Sequence, residues 1–348
     1  MENENIRVAL DAMGGDNAPI EIVKGACTAL SEIPELTVIL TGKSDAINES
    51  IEKVKAEGIA VPDDRLQIEE AADVITNDDP PVMAVRRKKD SSLVVAMKLV
   101  KDGRADAFIS AGSTGAVLVG GQLIIGRLHG IERSPLGAIV PTAKGMSMIL
   151  DCGANVDSRS AHLVQYAEMG SLYMEHALGI EKPRVALLNI GAEEEKGNSL
   201  VKETLPLLKS RTDINFIGNI EARQIPFGDA DVIVCDAFTG NCVLKMYEGT
   251  AQMILLKMKE AVYANTRSKI GGLLLKPSLK KTMAAFDTKQ YGGAPMLGLN
   301  SLVVKAHGSS KAAEINSALH QCVTFNSQHI TGFIKAYLEK EQETGISD

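Results

Sequence analysis

The chain of 348 residues has no tryptophan and only 4% aromatic residues, so it lacks the stacking platforms that hold single-stranded nucleic acid. Positive charge is not in excess. Against 37 Lys and Arg stand 44 Asp and Glu, and a net charge of −7 excludes the basic face of a non-specific nucleic-acid binder. The five cysteines, Cys27, Cys152, Cys235, Cys242 and Cys322, are odd in number, widely spread and without a CxxC pair, which excludes a disulfide framework or a zinc knuckle. No HExxH or histidine cluster occurs, and no metal is expected. GxGxxG is absent, and Gly42-Lys43-Ser44 lacks the upstream glycine of a P-loop, so neither standard nucleotide-phosphate motif is present and no cofactor is expected. No window approaches the ~18 apolar residues of a membrane span, and MENENIRVALDAMGG has neither the basic region nor the long apolar stretch of a secretion signal. A cytoplasmic location is the expectation. No tandem repeat, low-complexity stretch or Pro/Ser linker divides the sequence.

What is present is a core-forming composition, 45% hydrophobic with 31 Gly and 12 Pro, and a recurring pattern. Short runs of Val, Ile, Leu and Ala end abruptly in small polar residues: Ile6–Asp11, Leu36–Gly42, Ala105–Thr114, Met148–Asn155, Val185–Gly191, Asp231–Asn241 and Leu302–Ser310. Continuous apolar runs suit strands covered on both faces, and helical stretches such as Pro19–Leu30 and His162–Leu178 are long enough for crossovers. The expectation is an α/β fold, a mostly parallel sheet sandwiched by helices, forming one catalytic unit over 1–348. In such sheets ligands bind at the carboxyl ends of the strands, so function belongs in those turns.

Asp11-Ala12-Met13-Gly14-Gly15-Asp16 sets two carboxylates around a tight glycine turn; it is either a binding turn or a structural one, with Asp11, Gly14, Gly15 and Asp16 as candidates. Ser110, Gly112, Ser113 and Thr114 precede a buried helix, where outward amides and the helix dipole favour an anion; the alternative is an ordinary Ser/Thr cap. In Asp151–Asp157, Cys152 suggests a covalent thioester, but no histidine follows at a suitable distance and a cysteine at a strand end is commonly a small apolar filler. Asn155 and Asp157 are the preferred polar groups there. Lys196, beside Asn198, can meet phosphate as a point charge, while Glu193–Glu195 read as a solvated helix start. Thr239 and Asn241 follow a further strand, and His307, before Gly308-Ser309-Ser310, is a candidate proton donor or a structural histidine.

Two segments fall outside the strand-end pattern. Arg86-Arg87-Lys88-Lys89 is a basic run in an acidic protein, either a solvated face or a dock for an acidic partner. Within 243–289 the pattern reads as a protruding helical hairpin, Val243–Arg267 and Leu279–Lys289, joined through SKIGGLLLKPS. Its tip carries Ile270, Leu273, Leu274 and Leu275 with Lys269 and Lys276 alongside, the composition of a membrane-surface anchor or of a contact with a second subunit.

Ten blocks in order, VALDAMGGD, VRRKKDSS, ISAGSTGA, LDCGANVD, HLVQYAEMGS, LLNIGAEEEKGN, FIGNIEAR, FTGNCVLK, YGGAPMLG and VKAHGSS, resemble the phosphate acyltransferase (PlsX) family of bacterial phospholipid synthesis. The resemblance implies transfer of a fatty acyl chain from acyl carrier protein to inorganic phosphate, giving acyl phosphate for glycerol-3-phosphate acylation. It also implies a fold like that of isopropylmalate dehydrogenases and phosphotransacetylases, a homodimer, and peripheral attachment to the inner face of the cell membrane. In that chemistry Lys196, His307 and Asn155 are the expected catalytic groups, and orientation of phosphate against the thioester replaces an activated side chain. A dehydrogenase on the related fold and a non-catalytic membrane scaffold are the competing readings.

Overall fold

The computed structural model describes residues 5–284 and 292–344. Where one unit was expected, the contacts group into two compact units: a first, Met1–Gly137, Glu168–Glu181 and Lys289–Asp348, and a second, Ala138–Ala167 and Lys182–Thr288. Each has its own sheet, which is the physical basis of the division.

The first unit contains β1 (Ile6–Asp11), α1 (Ile20–Glu32), β2 (Leu36–Gly42), α2 (Ser44–Ala56), β3 (Leu66–Glu70), α3 (Pro81–Arg87), α4 (Ser92–Lys101), β4 (Ala107–Ser110) and α5 (Thr114–Gly120). The second sheet's chain follows: β5 (Gly137–Thr142), β6 (Gly145–Leu150), α6 (Ser160–Leu178), β7 (Arg184–Asn189), α7 (Ser199–Ser210), β8 (Asn215–Glu221), β9 (Val232–Val234), α8 (Ala237–Tyr263) and α9 (Thr266–Ala284). β10 (Ala294–Met296), β11 (Leu302–Lys305), α10 (Ala312–Ser327) and α11 (Ile330–Thr344) return to the first unit.

The first sheet has the order β10-β11-β4-β1-β2-β3, parallel except for the antiparallel β10. Its central strands are buried throughout their apolar positions, which is why they read as unbroken hydrophobic runs. The register sets Leu10 opposite Ile109 and Ser110 opposite Lys305, so β1, β4 and β11 end side by side. Helix α1 covers this sheet through Ile22, Val23, Ala26 and Leu30. A Cβ on Gly25 would stand 2.7 Å from Ile315 Cβ, so glycine lets α1 and α10 pack closely. The second sheet, β5-β6-β9-β7-β8, inserts its last strand, β9, between β6 and β7. Its core joins Ile149, Ala186, Leu188, Ile220 and Ile233.

The helical pair is present, but its turn is not where the glycines and leucines suggested. Chain reversal occurs at Ala264–Asn265, and Asn265 Oδ1 accepts the Ser268 amide at 2.9 Å to cap α9. Ile270–Leu275 therefore lies within the α9 helix. Gly272 serves close packing rather than a turn, since a Cβ there would stand 2.4 Å from Val262 Cγ1 on α8. The far part of the expected second helix, 285–289, lies outside the described residues.

Candidate active site

The order of the first sheet places a switch point at β1: the chain runs outward through β2 and β3, then returns to β4 on the other side of β1. Such a reversal opens a crevice at the strands' carboxyl ends. The loops after β1, β4 and β11 meet there. The Asp16 amide donates to Gly308 O at 2.8 Å, Ala306 N donates to Ser110 O at 3.0 Å, and Asn17 Nδ2 donates to Ser309 O at 3.0 Å. Gly15 has φ +100°, and a Cβ on it would stand 2.9 Å from Ala111 Cβ and 3.0 Å from Gly308 O. Only glycine fits that path.

Asp11 and Ser110 turn out to hold the crevice together. Asp11 is 2% exposed; its carboxylate accepts the Ser110 hydroxyl at 2.7 Å and the Met13 amide at 3.2 Å. Ser110 Oγ also accepts the Gly112 amide at 2.9 Å. Burial pushes the Asp11 carboxyl above its ordinary range, against the opposing pull of hydrogen bonds from Ser92, Ser110, Met13 and Gly14. A Cβ on Gly14 would stand 2.5 Å from Asp11 Oδ2, so this weld requires glycine as well. Ser113 is buried at the start of α5 with its hydroxyl making no cap bond, while Thr114 is exposed. His307 is exposed; its Nδ1 accepts the Ser309 amide at 3.2 Å, which leaves the proton of a neutral ring on Nε2 as an outward donor. Lys305, not singled out from the sequence, is buried at the end of β11 with Nζ donating to Ala306 O. A lysine inside the apolar run LVVKA was the available signal.

The second unit has a corresponding edge after β6, β7 and β9. Asp151, fully buried, gathers its own turn: Oδ1 accepts the amides of Gly153 at 3.0 Å and Ala154 at 2.9 Å, and Oδ2 accepts the Asn155 amide at 2.9 Å and its Nδ2 at 2.8 Å. Asn155 O accepts the Ala237 amide at 3.1 Å, which ties this turn to the start of α8. Cys152 is 4% exposed, its Sγ facing Ile149 O at 3.3 Å, and burial pushes the thiol far above its ordinary range. It has the environment of a filler, not of a nucleophile. Asp157 and Asn241 are exposed at the same edge.

Asn198 caps α7, its Oδ1 accepting the Val201 amide at 2.9 Å. Thr239 donates its hydroxyl to Asp236 Oδ2 at 2.7 Å, and Asp236 Oδ1 accepts the Thr239 amide at 2.9 Å. Asp236 was legible as the first residue of a D-x-x-T cap. Lys196 Nζ lies 2.8 Å from Glu193 Oε1 in an exposed pair that raises the ammonium pKa. Such an exposed pair is weak, so an incoming anion can displace Glu193 from Lys196. Below these residues a cavity of about 750 Å³ opens within the second unit, with Leu163, Leu187, Leu200, Val201 and Val243 among its walls.

The basic run divides. Lys88 is engaged locally, with Nζ 2.9 Å from Asp79 Oδ2 and from Val74 O, and the pair holds Asp79 down at about 2. Arg86, Arg87 and Lys89 are exposed, as are Val82 and Met83 on the same short helix. That helix lies close to the crevice, since a Cβ on Gly115 would stand 2.5 Å from Pro81 Cγ.

Two mostly parallel sheets with small-residue turns at their strand ends define a phosphotransacetylase-like α/β fold. The chain is similar to a phosphotransacetylase of Streptococcus pyogenes, with TM-score 0.60, 19% identity, and coverage of 93% of this chain and 94% of that one. The sequence carries the assignment further: the chain belongs to the family described as "Fatty acid synthesis protein", matched over residues 6–331. It is 50% identical to a phosphate acyltransferase of Clostridium botulinum, covering 97% of this chain and all of the relative. It is 47% identical to that of Clostridium acetobutylicum, covering 96% and 99%. It is an enzyme of the transferase class.

Proposed function

We propose that the protein transfers a fatty acyl group from the thioester of acyl carrier protein to inorganic phosphate, releasing acyl phosphate for the first acylation of glycerol phosphate. The observation that carries this reading is the full-length identity of 50% with a phosphate acyltransferase. The buried Cys152 supports direct transfer: a phosphate oxygen attacks the carbonyl carbon, the tetrahedral adduct collapses, the C–S bond breaks, and the departing thiolate takes up a proton. Phosphate is already an anion, so positioning replaces activation. In the first unit, the amides of Ser113 and Thr114 and the Nε2–H of His307 are the donors proposed for an anion, the Gly112 amide being held by Ser110 Oγ. In the second unit, taken by itself, Lys196 is the proposed cation and the side-chain amides of Asn155 and Asn241 are proposed polar groups for substrate; an oxyanion donor contributes ~3 kcal/mol. Asp11 orients the first unit's loops through Ser110 and the Met13 amide, and Asp16 and Asp157 are proposed substrate-binding groups.

The test supplies palmitoyl acyl carrier protein and phosphate, and follows free thiol together with hydroxylamine-trapped acyl hydroxamate. Phosphate-dependent release of one thiol per hydroxamate is expected; thioester loss that ignores phosphate overturns the proposal.

Arg86, Arg87 and Lys89, flanked by exposed Val82 and Met83, form the proposed dock for the acidic carrier protein. Reversing Arg86 and Arg87 to Glu should raise KM for the carrier protein about tenfold with little change in kcat, and an unchanged KM removes the dock.

No helix among the described residues is long and apolar enough to cross a membrane. The α8–α9 pair nevertheless exposes a run of large apolar residues: Leu273 and Leu274 are 70% and 77% exposed, and Ile254, Leu255 and Leu256 on α8 are also exposed. With Lys269 and Lys276 beside it, the Ile270–Leu275 segment is the proposed peripheral contact with the inner face of the cell membrane, and α8 the proposed contact with a second copy in a homodimer. Leu273→Glu with Leu274→Glu should release the protein from anionic vesicles and leave solution activity intact.

A further inference from the structure

The wall of the 750 Å³ cavity in the second unit poses a chemical question: what guest does it suit? Several of its polar side chains are already engaged within the protein. Asn189 donates from Nδ2 to Lys196 O at 3.1 Å and accepts the Ile190 amide on Oδ1 at 2.8 Å. Asp236 spends both oxygens on Thr239, and Asn198 Oδ1 is taken by Val201. Arg223, at the rim, is paired with Glu221 at 3.0 Å. The single cation among these lining residues, Arg223, is largely exposed and already paired with Glu221, so the lining offers a charged guest little beyond that pair. A hydrocarbon guest, in contrast, strands no polar group and covers the apolar faces of Leu163, Leu187, Leu200, Val201 and Val243.

Size points the same way. A methylene occupies roughly the ~30 Å³ share of a liquid water molecule, so a sixteen-carbon chain needs about 500 Å³. The cavity holds that with room to spare. Polar lining residues Asn189, Glu221 and Asp236 stand at the ends of β7, β8 and β9, while Leu187 and Leu188 come from β7 and Leu163, Leu200, Val201 and Val243 bring apolar side chains from α6, α7 and α8.

We propose that this cavity is the acyl-chain subsite of the enzyme, with Leu163, Leu200, Val201 and Val243 as the residues that set chain length. The inference rests on the acyl-transfer reading above. Each methylene accommodated is worth about fourfold in binding (~0.8 kcal/mol), so the cavity converts chain length directly into preference.

The experiment measures phosphate-dependent thiol release from acyl carrier protein thioesters of eight to eighteen carbons, for the wild type, Leu200→Trp and Val243→Phe. Filling the cavity should lower kcat/KM for sixteen carbons relative to eight by roughly tenfold in each variant, leaving the eight-carbon rate near that of the wild type. A variant that releases no thiol from any thioester is replaced by Leu200→Ala, which should shift the optimum toward longer chains. The second arm photolyses a hexadecanoyl thioester bearing a terminal diazirine on the wild-type enzyme. Adducts are expected on peptides containing Leu163, Leu200–Val201 or Val243. Unchanged chain-length profiles with adducts elsewhere overturn the subsite while leaving the acyl-transfer reading intact; a wild type that transfers no acyl group to phosphate defeats that reading itself.

Discussion

Each unit buries an aspartate at the end of a strand, and the two are used differently. Asp151 gathers four donors from its own turn, all within the next four residues. Asp11 reaches across to Ser110, ninety-nine positions away, and joins two neighbouring strand ends. The first carboxylate shapes a loop locally; the second makes the crevice of the first unit one piece. An acid after a strand is thus no guide by itself to a substrate contact, because a buried carboxylate with several N–H and O–H donors is already satisfied.

That contrast is open to measurement. The largest effect should come from the glycine that lets α8 approach the Asp151 turn. A Cβ on Gly240 would stand 1.9 Å from Asp151 O, so Gly240→Ala should destabilise the protein by about 3 kcal/mol in denaturant unfolding and abolish most activity. Full stability would show that the turn is soft.

Next come the aspartates themselves. Asp151→Asn loses the acceptor for two donors at once and should cost about 3 kcal/mol, whereas Asp11→Asn loses the Ser110 bond but also relieves a buried charge and should cost only about 1 kcal/mol. Because burial raises the Asp11 pKa, its native form holds a proton more tightly than the unfolded chain does. Stability from that site is complete below the unfolded value of ~3.9 and is lost as pH rises through the folded one. The wild type should therefore gain on Asp11→Asn as pH falls toward that range, and equal pH slopes would contradict the assignment. The smallest effect belongs to Cys152→Ala, expected to lose about 1 kcal/mol of stability and to keep kcat within about twofold. A collapse of kcat in a folded variant would restore the covalent thioester.

Much of the fold could be read in advance, for a physical reason that also explains the gaps. The runs at Ile6–Asp11 and Leu36–Gly42 match β1 and β2 residue for residue, because central parallel strands are apolar on both faces. β3, Leu66–Glu70, and β8, Asn215–Glu221, were passed over. Both are edge strands whose half-exposed sequences, LQIEE and NFIGNIE, carry no such run. At the site, the glycine turns were legible as turns. That Asn198 caps a helix, that Lys88 is tied to Asp79 and that Lys305 is buried depended on partners the chain brings together only when folded. The turn of the helical pair was misplaced for an instructive reason: Gly271-Gly272 resembles a loop until Val262 is seen against it.

By itself the sequence determined the strand-bearing α/β character, the positions of the small-residue turns and the membership of a family, because all three are written in local residue order. Tertiary structure alone decided which polar groups are spent on the framework, which stay available, and where an apolar cavity opens. Those outcomes depend on neighbours distant in the chain, whose burial and hydrogen bonds no single segment encodes.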